Sequence, residues 1–298
     1  MTSPEPQGGG REVSEAVPTP LAIICGGGSF PMAVAEAVLQ SGRRPVMFGI
    51  KGWAEASTVQ RYAHHWIALG QLGRILRLAR LDGCREAIFI GALLRPPLAK
   101  IRLDWPTIRI IPRLLRAARG GDDQLLKGVA EIFERGGLRI VGLETVAPKI
   151  LVPQGVLTRC QPTDRDRADI ARALKLIAAL GPFDVGQAAI VADGHVLSVE
   201  GAEGTDNMLA RINEMRGQDR VTARLGTGVL VKSPKPGQDR RFDLPAIGPL
   251  TVENVARAGL AGLAVTAGST LIATPMEVIA AADRANIFLA GVSEVAPP

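Results

Sequence analysis

Acidic side chains, two lysines and several chain-stiffening prolines crowd into positions 203–243, in the runs EGTDNML at 203–209, VKSPKP at 231–236 and FDLPAIGP at 242–249. Carboxylates suit a hard divalent ion and ammonium groups suit phosphate, so the combination points to a phosphate ester or anhydride. Glu200, Glu203 and Asp206 stand near one hairpin exit. Like charges gathered this way repel unless a cation or basic groups compensate, a task open to Lys232, Lys235 or Mg²⁺. Each residue also has a plain structural role open to it. Thr205 fits a helix N-cap with Asp206 in the first turn, and a single lysine at a strand end ordinarily serves solvation. Asp243, between Phe242 and Leu244-Pro245, sits in an apolar setting where a lone carboxylate is costly. It suits a metal ligand or a group that positions attacking water, and equally a turn cap.

The elements that must hold these residues can be read from periodicity. LAIIC at 21–25 breaks into GGGSFP at 26–31, and a helical pattern runs to position 40. Strand, glycine turn and helix open a βαβ unit. Further strands are expected at 46–50, 87–91 and 138–142, and helices at 71–81, 105–119 and 122–135. That alternation predicts a Rossmann-like parallel sheet covered on both faces. Prolines and glycines without clear periodicity at 146–163 mark a boundary. The expected organisation is a leader at 1–20, an N-terminal Rossmann-like domain at 21–150 and a C-terminal α+β domain at 151–298. In the second half, Thr163 is expected to cap a helix at 164–180. Asp193-Gly194 is expected to turn a hairpin between strands at 187–192 and 195–199. A helix follows Thr205, with a strand at 228–232. The runs 262–265 and 271–273 are expected to turn at Gly268-Ser269, before a helix from 275 and a strand at 287–291.

Glycines after a strand let the backbone approach a ligand, and free amides at a helix start hold phosphate, so Gly26, Gly27, Gly28 and Ser29 are candidate anion contacts. Tight backbone contact is the structural alternative. NAD fits poorly, because Pro31 replaces the usual third glycine and the second strand ends at Ile50-Lys51 rather than in an acid. Arg95, in GALLRP after a parallel strand, lies where open α/β sheets bind ligands. Arg109, Arg113, Arg116 and Arg119 form a basic stripe suited to anionic lipid or to plain solvation, as do Arg74, Arg77 and Arg80.

Composition narrows the field. The 298 residues are 47% apolar and 21% charged, with net charge +6, as in an ordinary globular protein long enough for two cores. Only 4% are aromatic, which argues against stacking on nucleic-acid bases. Cys25, Cys84 and Cys160 are odd in number and scattered, which suits reduced cytoplasmic thiols. No apolar run reaches the ~20 residues of a membrane span. Three histidines, no GxxxxGK[ST] loop and no GxSxG elbow exclude a His-rich dinuclear centre, a P-loop ATPase and an α/β-hydrolase site.

GGGSFP, GALLRP, GGDDQLL at 120–126, DVGQAAIV at 184–191, EGTDNML, KSPKP and DLPAIG occur in an order and spacing that resembles the UDP-2,3-diacylglucosamine pyrophosphatases of lipid A biosynthesis. The resemblance is to their histidine-poor form, found in bacteria lacking the calcineurin-like enzyme, and spans 21–292. It implies Mg²⁺-assisted hydrolysis of UDP-2,3-diacylglucosamine to UMP and 2,3-diacylglucosamine 1-phosphate (lipid X). It also implies two domains with the lipid between them, paired chains, and a cytoplasmic enzyme in peripheral contact with the inner membrane. The essential aspartate of the DLP motif maps to Asp243. On this reading Asp243, Asp206 and Lys235 serve catalysis, and Asp243, Asp206 and Glu200 hold metal. Gly26, Gly27, Gly28, Ser29, Arg95, Gln187, Thr205 and Lys232 contact substrate. Ala92 and Leu93 depart from the family, being apolar where relatives can carry asparagine. A non-catalytic nucleotide-sugar or lipid-phosphate binder is the alternative from another class, and an NAD-dependent oxidoreductase ranks last.

Overall fold

A computed structural model describes residues 19–93, 104, 107, 122–221 and 223–294. Five parallel strands form the N-terminal sheet: β1 (Leu21–Cys25), β2 (Pro45–Ile50), β3 (Ala63–Ile67), β4 (Glu86–Ile90) and β5 (Arg139–Ile140), in the order β3-β2-β1-β4-β5. Alternate residues of β1 enter different cores. Leu21, Ile23 and Cys25 pack with Val34 and Val38 of α1 (Phe30–Gln40), while Ala22 and Ile24 pack with Phe48, Ile75 and Phe133. A strand covered on both faces must be apolar throughout, which is why LAIIC shows no alternation. The remaining N-terminal helices are α2 (Ala56–Val59), α3 (Leu72–Leu81) and α4 (Asp122–Arg135). Neighbouring strand order reverses between β1 and β4, so the loops after these two strands part and leave a crevice at their carboxyl ends.

After α5 (Leu143–Val146) the chain enters a mixed six-stranded sheet, ordered β6-β13-β11-β9-β7-β8. Its members are β6 (Gly155–Val156), β7 (Ala188–Ala192), β8 (His195–Val199), β9 (Val229–Lys232), β11 (Gly262–Thr266) and β13 (Phe288–Val292). The central trio β13, β11 and β9 is parallel, and β7 runs antiparallel to β9. Helices α6 (Asp164–Leu180), α7 (Gly204–Gly217), α8 (Pro249–Arg257) and α9 (Pro275–Arg284) complete this half. The fold is therefore α/β, with a parallel sheet first and a mixed sheet with helices second.

Local signals explain several of these ends. Thr163 caps α6 in a reciprocal box with Asp166. Asp193 and Gly194 both take positive φ, as the tight hairpin between β7 and β8 demands. Asp169 on α6 is 2% exposed, and its carboxylate accepts the Asp193 amide at 2.9 Å and the Gly194 amide at 2.7 Å. Asp169→Ala would strand both donors, at a cost of about 3 kcal/mol. Thermal denaturation should show a fall of roughly 6–12 °C. Asn at this position should restore little, since its NH₂ would face one of the amides.

One expected pairing is overturned. The runs 262–265 and 271–273 do not pair as a hairpin: β11 lies between β9 and β13, whereas β12 (Leu271–Ile272) pairs in parallel with β10 (Ala246–Ile247) in a separate two-stranded sheet. The Gly268 amide instead donates to Val152 and the Leu271 amide to Pro245. The edge strand β3 was not anticipated, because AHHWI is polar at its start and exposed there. Apart from Thr107, the helix expected at 105–119, with its arginine stripe, lies outside the described residues.

Candidate active site

Leu244, Ala246 and Leu271 from the second half pack onto the N-terminal core around Leu143 and Phe30. This contact lays the segment between β9 and β10 across the crevice at the β1/β4 switch point. A cavity of about 380 Å³ results. Gly27, Gly28, Ser29, Gly91 and Ala92 form its N-terminal wall, and Arg240, Arg241, Phe242 and Asp243 face them. Phe30, Phe89, Leu143 and Leu271 make the rest of the lining largely apolar. A second cavity, of about 420 Å³, lies around Thr163, Gly226 and Phe288 and contains neither the glycine turn nor Asp243.

The glycine turn divides its labour. A Cβ on Gly26 would overlap the Ala92 carbonyl oxygen, and one on Gly91 would stand 2.7 Å from the Gly27 carbonyl oxygen. The Gly26 amide donates to Ile90 and the Gly27 amide to Ala92, each at 3.0 Å. These two glycines serve close backbone approach, the structural alternative recognised from sequence. Gly28, at φ +94°, then turns the chain into α1. Ser29 makes no side-chain cap there, and among the described residues no backbone acceptor takes the Gly28 or Ser29 amide. Donors at an uncapped helix start are suited to an anion.

The segment carrying Asp243 is anchored on both sides. Phe242 packs on Phe89 in a tilted arrangement with centroids 4.9 Å apart, and Phe89 meets Phe133 edge-on. Arg241 joins Asp239 and Glu134 of α4, each at 2.7 Å. The Arg241 hydrogen bond holds the Asp239 carboxyl below its usual range, and the same bond raises the guanidinium. Lys127 donates to the Gly237 carbonyl at 3.0 Å. On the other side Arg240 reaches Ser269 at 3.0 Å. Asp243 itself is exposed to the cavity rather than shut among apolar neighbours, so the burial cost expected from Phe242 and Leu244 does not arise.

Lys232 is not the solvated strand-end lysine that composition suggests. It is 7% exposed at the carboxyl end of β9, and its Nζ donates to the Ala246 carbonyl at 3.0 Å. Burial lowers its pKa, opposed by the fields of Glu200, Asp206 and Asp243. One buried ammonium group thus lies within electrostatic reach of all three expected metal carboxylates. The acids themselves differ in their partners. Glu200 is 8% exposed and accepts the Gln187 amide at 2.8 Å and the Thr205 hydroxyl at 2.7 Å. Asp206 accepts from Asn254 at 2.9 Å, and Glu203 pairs with Arg211 at 3.0 Å. Lys235 pairs with Asp184, four residues before β7 begins.

Thr205 does not cap α7: Glu203 is the N-cap, Gly204 at φ +78° begins the helix, and the Thr205 hydroxyl turns back to Glu200. Gln187 holds an orphan, since its Oε1 is buried and accepts no hydrogen bond among the described residues. Arg95 lies outside the described residues. Among the described residues no group of three or more His, Cys, Asp or Glu gathers closely enough to hold a metal ion. The free cysteines Cys25 and Cys84 are buried, which pushes their thiols up to about 12 and about 11. Gln238, which hydrogen-bonds Asp243, carried no recognisable sequence signal.

Residues 20–150 match the LpxI N-terminal domain, and residues 153–290 match the LpxI C-terminal domain. The UDP-2,3-diacylglucosamine pyrophosphatase LpxI of Caulobacter vibrioides is 38% identical over 272 residues, 91% of this chain and 97% of that protein. A solved N5-carboxyaminoimidazole ribonucleotide synthetase from Thermotoga maritima aligns over 63% of this chain and 43% of its own. Its identity is 12% and its TM-score 0.22, a likeness too slight to carry an argument. With both halves matched in order and a relative similar across nearly its full length, this chain belongs to the LpxI family.

Proposed function

We propose that the chain hydrolyses the pyrophosphate of UDP-2,3-diacylglucosamine to UMP and 2,3-diacylglucosamine 1-phosphate, a step of lipid A biosynthesis. The observation that carries this is the 38% identity to the Caulobacter vibrioides pyrophosphatase over 91% of the chain. A cavity joining the glycine turn to Asp243 supports it. Amides of Gly28 and Ser29 would hold a phosphate oxygen, and the apolar walls would take an acylated sugar. Asp243 would orient the attacking water and accept its proton. The reaction would need none of the histidine ligands used by a dinuclear phosphoesterase.

Mg²⁺ belongs to the proposal through the donor set. Both Glu200 oxygens are taken by Gln187 and Thr205, whereas Asp243 opens to the cavity and Asp206 is exposed. One or two carboxylates completed by substrate phosphates suit Mg²⁺, so Asp243 and Asp206 would hold it. When bound, it would neutralise charge on the phosphoryl oxygens. Lys232, buried beneath, would offset repulsion among the acids and fix the Ala246 carbonyl. Lys235 would orient the KSPKP turn through Asp184 or turn to the pyrophosphate. No helix among the described residues is long and apolar enough to cross a membrane. Pairing of two chains and peripheral contact with the inner membrane are part of the same reading.

Purified protein incubated with UDP-2,3-diacylglucosamine and Mg²⁺ should release UMP and the lipid monophosphate in equal amounts. Chelation should stop release and added Mg²⁺ restore it. Tight binding of intact substrate without cleavage would replace hydrolysis with the binding-protein alternative.

A further inference from the structure

The segment between β9 and β10 contains a turn whose side-chain chemistry is more specific than its backbone needs. Gln238 closes it: its backbone amide donates to the Lys235 carbonyl at 3.1 Å, and its side-chain Oε1 accepts the Lys235 amide at 2.9 Å. The other end of the same carboxamide, Nε2, donates to Asp243 Oδ2 at 2.5 Å. Glutamine amides are ordinarily ambiguous in which end is oxygen, but here the ambiguity is resolved by chemistry. A backbone N–H can only donate, so the end facing Lys235 must be oxygen. The NH₂ group is then forced toward Asp243, and the carboxylate must accept.

The backbone of the turn is held independently. Lys127 grips the Gly237 carbonyl, Lys235 pairs with Asp184, and Arg241 fastens the following residues to Asp239 and Glu134. The Gln238 carboxamide is therefore not needed to keep the segment in place. What it adds is a directed donor on one oxygen of Asp243, which helps to orient the carboxylate. Such a contact fixes the geometry of a group that must meet the reacting atoms from one side.

We infer that Gln238 is a positioning residue for Asp243, its amide orientation dictated by the Lys235 backbone. This rests on the hydrolase reading above and goes beyond it by naming the side chain that aims the acid. It also links the KSPKP and DLP motifs, since one carboxamide touches both.

The test uses two variants of similar size that split the two ends of the amide. Gln238→Glu keeps an acceptor for the Lys235 amide but replaces the donor to Asp243 with a second negative charge. Gln238→Met removes both hydrogen bonds without adding charge. If Gln238 serves to aim Asp243, Glu is the worse substitution. Turnover of UDP-2,3-diacylglucosamine should fall about tenfold in Gln238→Met and about a hundredfold in Gln238→Glu. KM should change by less than about threefold in both, because the contact acts on the chemical step. Melting temperature should stay within about 2 °C of the parent.

A purely structural role predicts the reverse order, since Glu preserves the turn bond that Met loses. The inference is overturned if Met loses as much as Glu, if both retain turnover within twofold, or if the loss appears in KM. The parent protein is assayed first. An inactive parent sinks the hydrolase reading and this inference with it, whereas an active parent with the order reversed sinks the inference alone.

Discussion

Asp243→Asn is expected to lower UMP release by at least about 10³-fold, equivalent to roughly 4 kcal/mol of lost transition-state stabilisation. The substitution is nearly isosteric; it removes the charge and the proton-accepting capacity and replaces one acceptor oxygen by an NH₂ donor. Gln238 can still donate to the asparagine carbonyl, so the segment should keep its seat. Phe242 on Phe89 and Arg241 on Glu134 do not involve the changed group. Asp243 is exposed to the cavity, so its replacement leaves no hole in a packed core. Melting temperature should therefore move by no more than about 2 °C. A single-turnover assay with UDP-2,3-diacylglucosamine, beside a thermal scan, checks both halves of the expectation. Retention of near-parental turnover would remove Asp243 from the chemistry.

Gly26→Ala should damage both fold and site. The new methyl would overlap the Ala92 carbonyl oxygen and stand 2.9 Å from its carbon. Both obstacles are backbone, held by reciprocal hydrogen bonds between Gly27 and Ala92. Neither can swing aside as a flexible side chain would, so β1 and β4 must part at the switch point. Overpacking of this kind costs about 3 kcal/mol, which corresponds to a fall of roughly 6–12 °C in melting temperature. The widened crevice should also misplace the Gly28 and Ser29 amides, and displacement of that sort costs about a hundredfold in turnover. Gly28→Ala provides the contrast: nothing lies within 4 Å of its Cβ, and the penalty there comes from φ +94° alone.

Most of the first half could be read from sequence because β1, β2 and β4 are covered on both faces. Such strands appear as unbroken apolar runs, and the helices between them show their own period. β3 escaped because an edge strand has no second neighbour to demand apolar residues, and its two histidines masked the pattern. The second half was harder. Gly268-Ser269 resembles a hairpin turn, yet the bonds that decide the path reach Val152 and Pro245, far away in sequence. Local pattern does not encode such partners. Lys232 illustrates the same limit at the site: nothing in VKSPKP reveals that β9 lies inside a six-stranded sheet with a carbonyl waiting for the ammonium group. Thr205 failed as a cap for a local reason. Gly204 takes positive φ and starts the helix two residues early, which sends the hydroxyl back to Glu200. Asp243 was legible as a residue type in a motif, but its aim was not, because Gln238 stands in an ordinary turn.

The ties that seat the Asp243 segment span very long stretches of chain: Arg241 to Glu134 crosses 107 positions and Lys127 to Gly237 crosses 110. Both ties join the second half to α4 of the first, so they close only when the two halves meet. The acid should therefore reach its working place as a final event of maturation, once each sheet has condensed. A newly made or half-assembled chain would hold both cores yet cleave nothing. A single protease cut between β9 and β10 should silence the finished protein while leaving its sheets standing.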